Sequence, residues 1–288
     1  MRRAGWVAGF VVVAAVAVGV TAVAGAPSWS ELRAERQLAA RVAAVQGPAP
    51  VPVEPCNAVH SKPAPLVLLV LGQSNAGNHG LDNPAKTGLG APKAKVFVGA
   101  GCQVTADPLP GGTGGHSSIW SRLPLHLQSL GLDRPVVVAL LAVDATRIKE
   151  WSRTSGPLAA RLDSLIEQLK LAQLQPDLVL WQQGEADALA GTPEAAYADG
   201  LDQLRAHLRA GGVLAPILAA RSTMGQGSEG AAVRSAISHV VARHADMRLG
   251  PDTDTLQGPH RHRDCHFSSL GLDAAARMWA QAIVQQTH

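Results

Sequence analysis

Residues 66–71 read LVLLVL, an uninterrupted run of branched apolar side chains directly after Pro65. A run of this length without polar alternation predicts a β-strand that is buried on both faces. Four further runs of the same kind follow: KVFV at 95–98, PVVVALLAV at 135–143, LVLW at 178–181 and APILA at 215–219. The sequence therefore predicts a sheet of five buried strands.

Amphipathic helices are predicted between and after these strands. Leucines recur at helical spacing at positions 158, 162, 165 and 169, and again at 201, 204 and 208 after Thr192-Pro193. Residues 231–242 and 272–284 supply two more such patterns. Alternating strands and helices predict a three-layer α/β/α fold, flavodoxin-like, with a mainly parallel five-stranded sheet. Ligands in such folds bind beyond the carboxyl ends of the strands.

Three loops at predicted strand ends carry unusual residues. GQSNAG at 72–77 places Ser74 in a glycine-rich turn, where backbone N–H groups can face an anion. WQQGEADA at 181–188 brings two amides and two carboxylates to the end of a buried strand, which predicts a polar pocket or a local hydrogen-bond network. HRHRDCHFSSLG at 260–271 gives the chain order Ser, Asp, His of many α/β hydrolases.

A zinc site is the competing interpretation of the third loop, with His260, His262 and His266 as ligands. No H-E-x-x-H or paired C-x-x-C motif accompanies them, so no metal or organic cofactor is predicted.

The motifs GQSNA (72–76), WQQGEADA (181–188) and DCHFSSLG (264–271), in this order, resemble those of the sialate O-acetylesterase-like carbohydrate esterases of the SGNH hydrolase superfamily. The stretches 107–120 and 250–254 are also similar to blocks of that family. The resemblance covers residues 65–288, the predicted esterase domain.

The resemblance implies a serine esterase mechanism. Ser74 is the expected nucleophile and His266 the expected base. The oxyanion hole would use the backbone N–H groups of Ser74 and of Gly115 or Gly114, and the side-chain amide of Gln183. The resemblance further implies that a second group of side chains holds these loops in place: Gln73, Asn75, Glu185 and Asp187.

The expected triad acid is Asp264, although it departs from the family pattern. In the family, the acid usually precedes the catalytic histidine by three residues, and that position is Arg263 here. Asp264 lies only two residues before His266, and Asp252, Asp254 or a mechanism without a carboxylate are the alternatives.

The chain has three cysteines, too few for a fold that depends on disulfides. A disulfide between Cys102 and Cys265, which would clamp two loops of the site, is the expected pairing, with two unrelated small core residues as the alternative. Cys56 would then be left over.

Composition and charge exclude several classes of protein. The chain has 288 residues, of which 47% are hydrophobic and 16% charged, which excludes a disordered protein. The net charge is only +3 and the basic residues are scattered, so nucleic acid is not an expected partner.

The N-terminus predicts a location outside the cytoplasm. Arg2 and Arg3 precede an apolar stretch from Ala4 to about Pro27, which predicts a signal anchor, or a cleaved signal peptide, over residues 1–28. The positive-inside rule then places the rest of the chain on the far side of the membrane. Residues 29–64 are interpreted as an amphipathic stalk and a proline-rich linker.

The predicted function is an extracytoplasmic esterase that removes acyl groups, most simply acetyl, from a carbohydrate. A polysaccharide acyltransferase using the same Ser and His, or a glycan-binding domain without catalysis, are the alternatives.

Overall fold

The computed structural model describes residues 28–56, 63–82, 94–104, 106–225 and 230–287. A seven-stranded sheet forms the centre of this part of the chain. Its strands are β1 (Leu66–Gly72), β2 (Lys95–Phe97), β3 (Cys102–Val104), β4 (Val136–Ala142), β5 (Leu178–Gln182), β6 (Ile217–Arg221) and β7 (Met247–Asp252). The strand order is β3-β2-β4-β1-β5-β6-β7, and only the pair β2–β3 is antiparallel.

The mainly parallel α/β architecture is confirmed, but the prediction of five strands is wrong in number. All five predicted strands are present, and the two additional ones lie at the edges of the sheet. Strand β3 has only three residues, and β7 reads MRLGPD with exposed residues in its middle. Neither forms a continuous apolar run, because an edge strand buries less of its surface than a central one.

Helices cover both faces of the sheet. They are α1 (Trp29–Ala43), α2 (Leu123–Ser129), α3 (Ile148–Trp151), α4 (Pro157–Leu171), α5 (Glu185–Leu189), α6 (Glu194–Ala210), α7 (Ala231–Arg243) and α8 (Ser269–Thr287). A short hairpin, β8 (Arg261–His262) and β9 (His266–Phe267), precedes α8.

Strand β1 shows how the sheet separates two cores. Val67, Leu69 and Leu71 pack into the core beneath α1, α3, α4, α6 and α7. The alternate residues Leu66, Leu68 and Val70 pack into a second core beneath α2 and α8. Successive side chains of a strand point to opposite faces, so the run LVLLVL supplies both cores.

The predicted linker does not extend away from the domain. Helix α1 packs on α4 and buries Leu38 in the larger core. Residues 46–56, here called the edge segment, then follow the edge of the sheet beside β3. The Gln103 side chain donates to the carbonyl oxygens of Ala49 and Val51, both at 2.8 Å, and accepts from the Ala49 N–H.

The expected Cys102–Cys265 disulfide is wrong. Cys56 bonds to Cys102 instead, with the Cα atoms 4.9 Å apart, and Cys265 is free. The backbones of Glu54 and Cys102 exchange two hydrogen bonds of 2.8 Å, which bring Cys56 within reach of Cys102. Strand β3 therefore holds Cys102 at the edge of the sheet, paired with the edge segment.

We expect Cys56→Ser to lower the free energy of unfolding by about 4 kcal/mol under oxidising conditions, because the bond closes a loop with a sequence separation of 46 residues. Urea denaturation measures this change. Cys265→Ser is the matched control and should leave the free energy of unfolding within about 1 kcal/mol of wild type. A larger loss for Cys265→Ser than for Cys56→Ser would contradict the pairing.

The predicted anchor at residues 1–28 lies outside the described residues except for Ser28. Among the helices that the structure describes, none combines the length and the apolar character needed to cross a bilayer.

Candidate active site

The loops singled out in the sequence meet at the carboxyl ends of the central strands. They surround a cavity of about 200 Å³. The cavity is lined by Gln73, Ser74, His79, Asp144, Ala145, Glu185, Ala186, Leu189, Gly225, Cys265 and His266. Ser74, Asp144 and Glu185 each follow the carboxyl end of a strand, namely β1, β4 and β5. Parallel strands thus bring distant parts of the chain to one place.

Ser74 begins a single 3₁₀ turn directly after β1. Gly72 makes this turn possible, because a Cβ atom at that position would lie 2.1 Å from the carbonyl oxygen of Gln182. The Ser74 side chain is largely buried, but it lines the cavity. A hydroxyl in this position can reach a small molecule that enters the cavity.

His266 is the first residue of β9 and also lines the cavity. Its ring stacks on that of His79, with ring centroids 5.1 Å apart and an interplanar angle of 27°. Burial lowers the pKa of His266 to about 4; the electrostatic effects of His79, His262 and Arg261 act in the same direction, whereas the charge of Asp144 opposes them. The ring is therefore neutral at neutral pH, which is the form that accepts a proton.

Ser74 and His266 line the same cavity, but within the described residues no hydrogen bond joins the Ser74 hydroxyl to the His266 ring. Catalytic hydrogen bonds are often long or poorly aligned before substrate binds. Ser74 and His266 therefore lie at one cavity without a hydrogen bond between their side chains.

Asp264 lies away from this cavity. It occupies the three-residue turn of the β8–β9 hairpin, where Arg263 and Asp264 both have positive φ angles, of 50° and 52°. Its side chain is exposed and lines a neighbouring cavity. Within the described part of the chain, the Asp264 carboxylate forms no hydrogen bond with His266. The turn exposes Arg263 and Asp264 to solvent, which explains why the Asp264 carboxylate lies outside the cavity.

Asp252 and Asp254, the alternative acids, hold other parts of the structure. Asp252 forms an ion pair of 2.6 Å with Arg234. Asp254 accepts hydrogen bonds from the backbone N–H groups of Thr223 and Met224, at 2.8 and 2.9 Å. Asp252 thus holds the end of β7 to α7, and Asp254 stabilises the loop after β6.

Glu185 links the loops around the cavity. Its Oε1 atom accepts from the Asn75 amide at 2.6 Å and from the Ser222 hydroxyl at 2.7 Å. Burial raises the pKa of Glu185 to about 7, although both hydrogen bonds favour the charged form. The Asn75 amide also donates to the carbonyl oxygen of Cys265 at 3.3 Å. Asn75 therefore connects the Ser74 turn to both other loops.

The Gln183 amide is engaged in a second network. Its Nε2 atom donates to Asp187 at 2.6 Å, to the Thr146 carbonyl at 2.9 Å and to Gln73 at 3.2 Å. Its Oε1 atom accepts from the Tyr197 hydroxyl at 2.9 Å. Gln73 and Asp187 thus belong to one hydrogen-bond network with Gln183. Gln183 does not line the cavity.

Residues 111–115, here called the glycine loop, lie beside the Ser74 turn. Asn78 joins the two, because its amide donates to the carbonyl oxygens of Leu109 and Gly112 at 2.9 and 3.1 Å. Gly114 has a φ angle of +90°, and a Cβ atom there would lie 2.3 Å from the Asn78 carbonyl oxygen and 2.7 Å from the His79 ring. Neither Gly114 N–H nor Gly115 N–H donates to any residue that the structure describes. Both remain candidate donors to an oxyanion.

Arg261 stabilises the backbone that precedes His266. Its guanidinium is buried and donates to the carbonyl oxygens of Leu256 at 2.8 Å, Thr253 at 2.5 Å and Cys265 at 2.7 Å. It also stacks on the Phe267 ring, with 4.1 Å from the guanidinium carbon to the ring centroid. These contacts therefore fix the position of the hairpin that carries His266.

The free thiol of Cys265 also faces the cavity. Burial and the neighbouring Glu185 carboxyl raise its pKa to about 11. The thiol stays protonated at neutral pH, which makes it a poor nucleophile.

Two residues of the cavity were missed by sequence reasoning. Asp144 follows the carboxyl end of β4, so its position after a predicted strand was the available signal. His79 lies five positions after Ser74 within the same glycine-rich stretch. Burial lowers the pKa of His79, and so does His116, whereas the charge of Asp144 raises it.

The three histidines of the proposed zinc alternative do not converge on one point. His260 bonds to the carbonyl of Gln257, whereas His266 stacks on His79. Within the described ranges no group of three or more His, Cys, Asp or Glu side chains is arranged to hold a metal ion.

Comparisons with known proteins indicate the family and the fold. The family model described as "Carbohydrate esterase, sialic acid-specific acetylesterase" matches residues 127–285. No curated protein sequence matches the chain significantly.

Solved structures show a similar fold. A protein from Arabidopsis thaliana has a TM-score of 0.63 at 18% identity, over 77% of this chain and 98% of its own. The protein NanS has a TM-score of 0.52 at 14% identity, over 76% of this chain and 96% of its own. The esterase EstA from Pseudoalteromonas has a TM-score of 0.50 at 12% identity, over 77% of this chain and 98% of its own. At these identities the likeness shows the fold alone.

Proposed function

This chain belongs to the carbohydrate esterase family of sialic acid-specific acetylesterases and is a carboxylic ester hydrolase, and we propose that it removes O-acetyl groups from a carbohydrate through Ser74 and His266. One observation carries the proposal. The two side chains come from opposite ends of the domain sequence, yet they line one cavity. A volume of about 200 Å³ admits an acetyl group while the sugar stays outside.

The reaction proceeds in two steps. The Ser74 oxygen attacks the ester carbonyl carbon while His266 takes the hydroxyl proton. When the tetrahedral intermediate collapses, the bond to the sugar oxygen breaks, His266 returns the proton to that oxygen, and the acetyl group stays on Ser74. Water then attacks the carbonyl carbon of the acetyl-serine while His266 takes a proton from the water. The bond between the acetyl carbon and the Ser74 oxygen breaks, His266 gives the proton to that oxygen, and acetate leaves.

The negative charge on the carbonyl oxygen needs preorganised donors. The backbone N–H groups of Ser74, Gly114 and Gly115 are the donors that this proposal uses. The Gln183 amide is not among them, because it is occupied by Asp187, Thr146 and Gln73. Its role in this proposal is to fix the position of the Gln73 side chain.

Asp144 is the carboxylate that faces the histidine pair. It lines the cavity together with His79 and His266, and its charge favours the protonated form of both rings. We therefore assign to Asp144 the stabilisation of the imidazolium that forms on His266 during the reaction.

A comparison of two variants distinguishes Asp144 from Asp264. Asp144→Asn should lower kcat about tenfold, because the imidazolium that forms on His266 then lacks the carboxylate whose charge favours it; a tenfold loss corresponds to roughly 1.4 kcal/mol. Asp264→Gly should keep kcat within about threefold of wild type and raise the free energy of unfolding by about 1 kcal/mol, since glycine adopts a positive φ without strain. Steady-state kinetics and urea denaturation measure both effects. A 100-fold loss in Asp264→Gly alone would restore Asp264 as the triad acid.

The proposed location is outside the cytoplasm, with residues 1–28 as a membrane anchor or a signal peptide. The Cys56–Cys102 disulfide supports this proposal, since such bonds persist in oxidising compartments.

Acetate release tests the proposed function. The purified protein is incubated with p-nitrophenyl acetate and with O-acetylated oligosaccharides, with and without an unacetylated oligosaccharide acceptor. Hydrolysis predicts free acetate in the same amount with and without acceptor. Acetyl transfer to the acceptor at the expense of free acetate would instead indicate an acyltransferase.

A further inference from the structure

Gln46, the first residue of the edge segment, makes three hydrogen bonds with the glycine loop. Its backbone N–H donates to the Gly112 carbonyl at 3.0 Å, and its own carbonyl accepts from the Gly111 N–H at 2.9 Å. Its side-chain Nε2 atom donates to the Gly114 carbonyl at 2.9 Å. A residue far from the sequence motifs thus holds most of this loop.

The side-chain bond acts on the peptide group that carries a proposed oxyanion donor. The carbonyl of Gly114 and the N–H of Gly115 belong to one planar peptide unit. A donor on that carbonyl fixes the orientation of the plane, so it also fixes the direction in which the Gly115 N–H points. It further polarises the unit, which makes the N–H a stronger donor.

The glycine loop needs such support from outside. Gly114 has a φ angle of +90°, and in the described structure a Cβ atom on Gly115 would meet nothing within 4 Å. Among the described residues, the Gln46 side chain is the only hydrogen-bond donor to the Gly114 carbonyl, and a peptide between two adjacent glycines can rotate easily.

We propose that Gln46 is a positioning residue of the oxyanion hole, which orients the Gly114–Gly115 peptide so that the Gly115 N–H faces the carbonyl oxygen of the reacting ester. This assignment rests on the esterase function proposed above. The N-terminal part of the chain that precedes the esterase motifs would thus contribute to the rate of the reaction.

The edge segment holds Gln46 in place independently of its side chain. Gln103 binds the segment at Ala49 and Val51, and the Cys56–Cys102 bond closes its far end. The two backbone hydrogen bonds of Gln46 do not depend on its side chain. A substitution at position 46 can therefore remove the Gly114 contact alone.

Gln46→Met tests the assignment, because methionine has a similar length and no donor. We expect kcat for p-nitrophenyl acetate to fall about tenfold with KM within about twofold, a smaller loss than the roughly 100-fold or more for a direct donor. Gln128→Met is the control. It makes the same change at an exposed glutamine of α2 that contacts neither the edge segment nor the glycine loop, and kcat should stay within about twofold of wild type.

Gln46→Glu provides a second variant with a readout that a structural role would not produce. A charged carboxylate repels the Gly114 carbonyl, whereas the protonated carboxyl can donate to it. The ratio of the variant's kcat to that of wild type should therefore rise several-fold as the pH falls from 7.5 to 5. Circular dichroism and thermal melting establish that each variant is folded.

Unchanged kcat in both Gln46 variants, or an equal loss in Gln128→Met, would overturn the assignment while leaving the esterase function intact. A change in KM alone would overturn it as well, since an oxyanion donor acts on the transition state. An inactive wild-type enzyme would overturn the proposed function and this assignment together.

Discussion

Ser74→Ala is expected to lower kcat for p-nitrophenyl acetate by roughly 10⁴-fold or more, because the covalent acetyl-serine route is lost completely. The fold should be preserved, since the Ser74 hydroxyl forms no hydrogen bond with another described residue. Steady-state kinetics gives the loss in rate, and thermal melting establishes that the variant is folded.

Ser129→Ala serves as the control, because Ser129 is exposed at the end of α2 and bonds only to the carbonyl of its own helix. Its activity should equal that of wild type. A fluorophosphonate probe should label the wild-type enzyme and the Ser129→Ala variant, but not Ser74→Ala. Retention of more than a hundredth of the wild-type rate by Ser74→Ala would argue against a serine nucleophile.

His266→Gln is expected to lower kcat/KM by at least about 10³-fold, because the variant lacks the base that takes the Ser74 proton in the proposed mechanism. In the wild-type enzyme, the acid limb of kcat/KM should lie near pH 4, where burial and the neighbouring positive charges hold the pKa of His266. His266 is the active base when neutral, so activity falls as the pH drops through this pKa.

The position of the acid limb separates this site from one with an ordinary histidine. At pH 5, a base with a pKa of about 4 is roughly 90% neutral, whereas one with a pKa of about 6.5 is roughly 3% neutral. His262→Gln is the control from the same hairpin and should retain most of the wild-type activity. A limb near pH 6.5 would show that His266 is more exposed to water, or less affected by its charged neighbours, than the structure indicates.

Local patterns explain which parts of the fold were predictable from the sequence. The run LVLLVL and the other four apolar stretches identify the central strands, since burial on both faces leaves no room for polar residues. The short edge strand β3 and the polar strand β7 bury too little to leave such a pattern.

The site shows the same division. Ser74 and His266 were identified from their motifs, and the structure places both at one cavity. Asp144 was missed because a single aspartate after a strand carries no motif. The partner of Cys102 depends on how the edge segment lies beside β3, a contact between distant residues that no local pattern records.

The position of the edge segment also bears on how the enzyme should be produced. A recombinant fragment that starts at Pro65, where the resemblance to the esterases begins, would lack the chain that covers the outer side of β3. Its unpaired N–H and C=O groups, next to an unpaired Cys102 thiol, would then be free to join other molecules. Such a fragment would be expected to aggregate on expression, whereas one that begins at Ser28 retains α1, the disulfide and the contacts of Gln46.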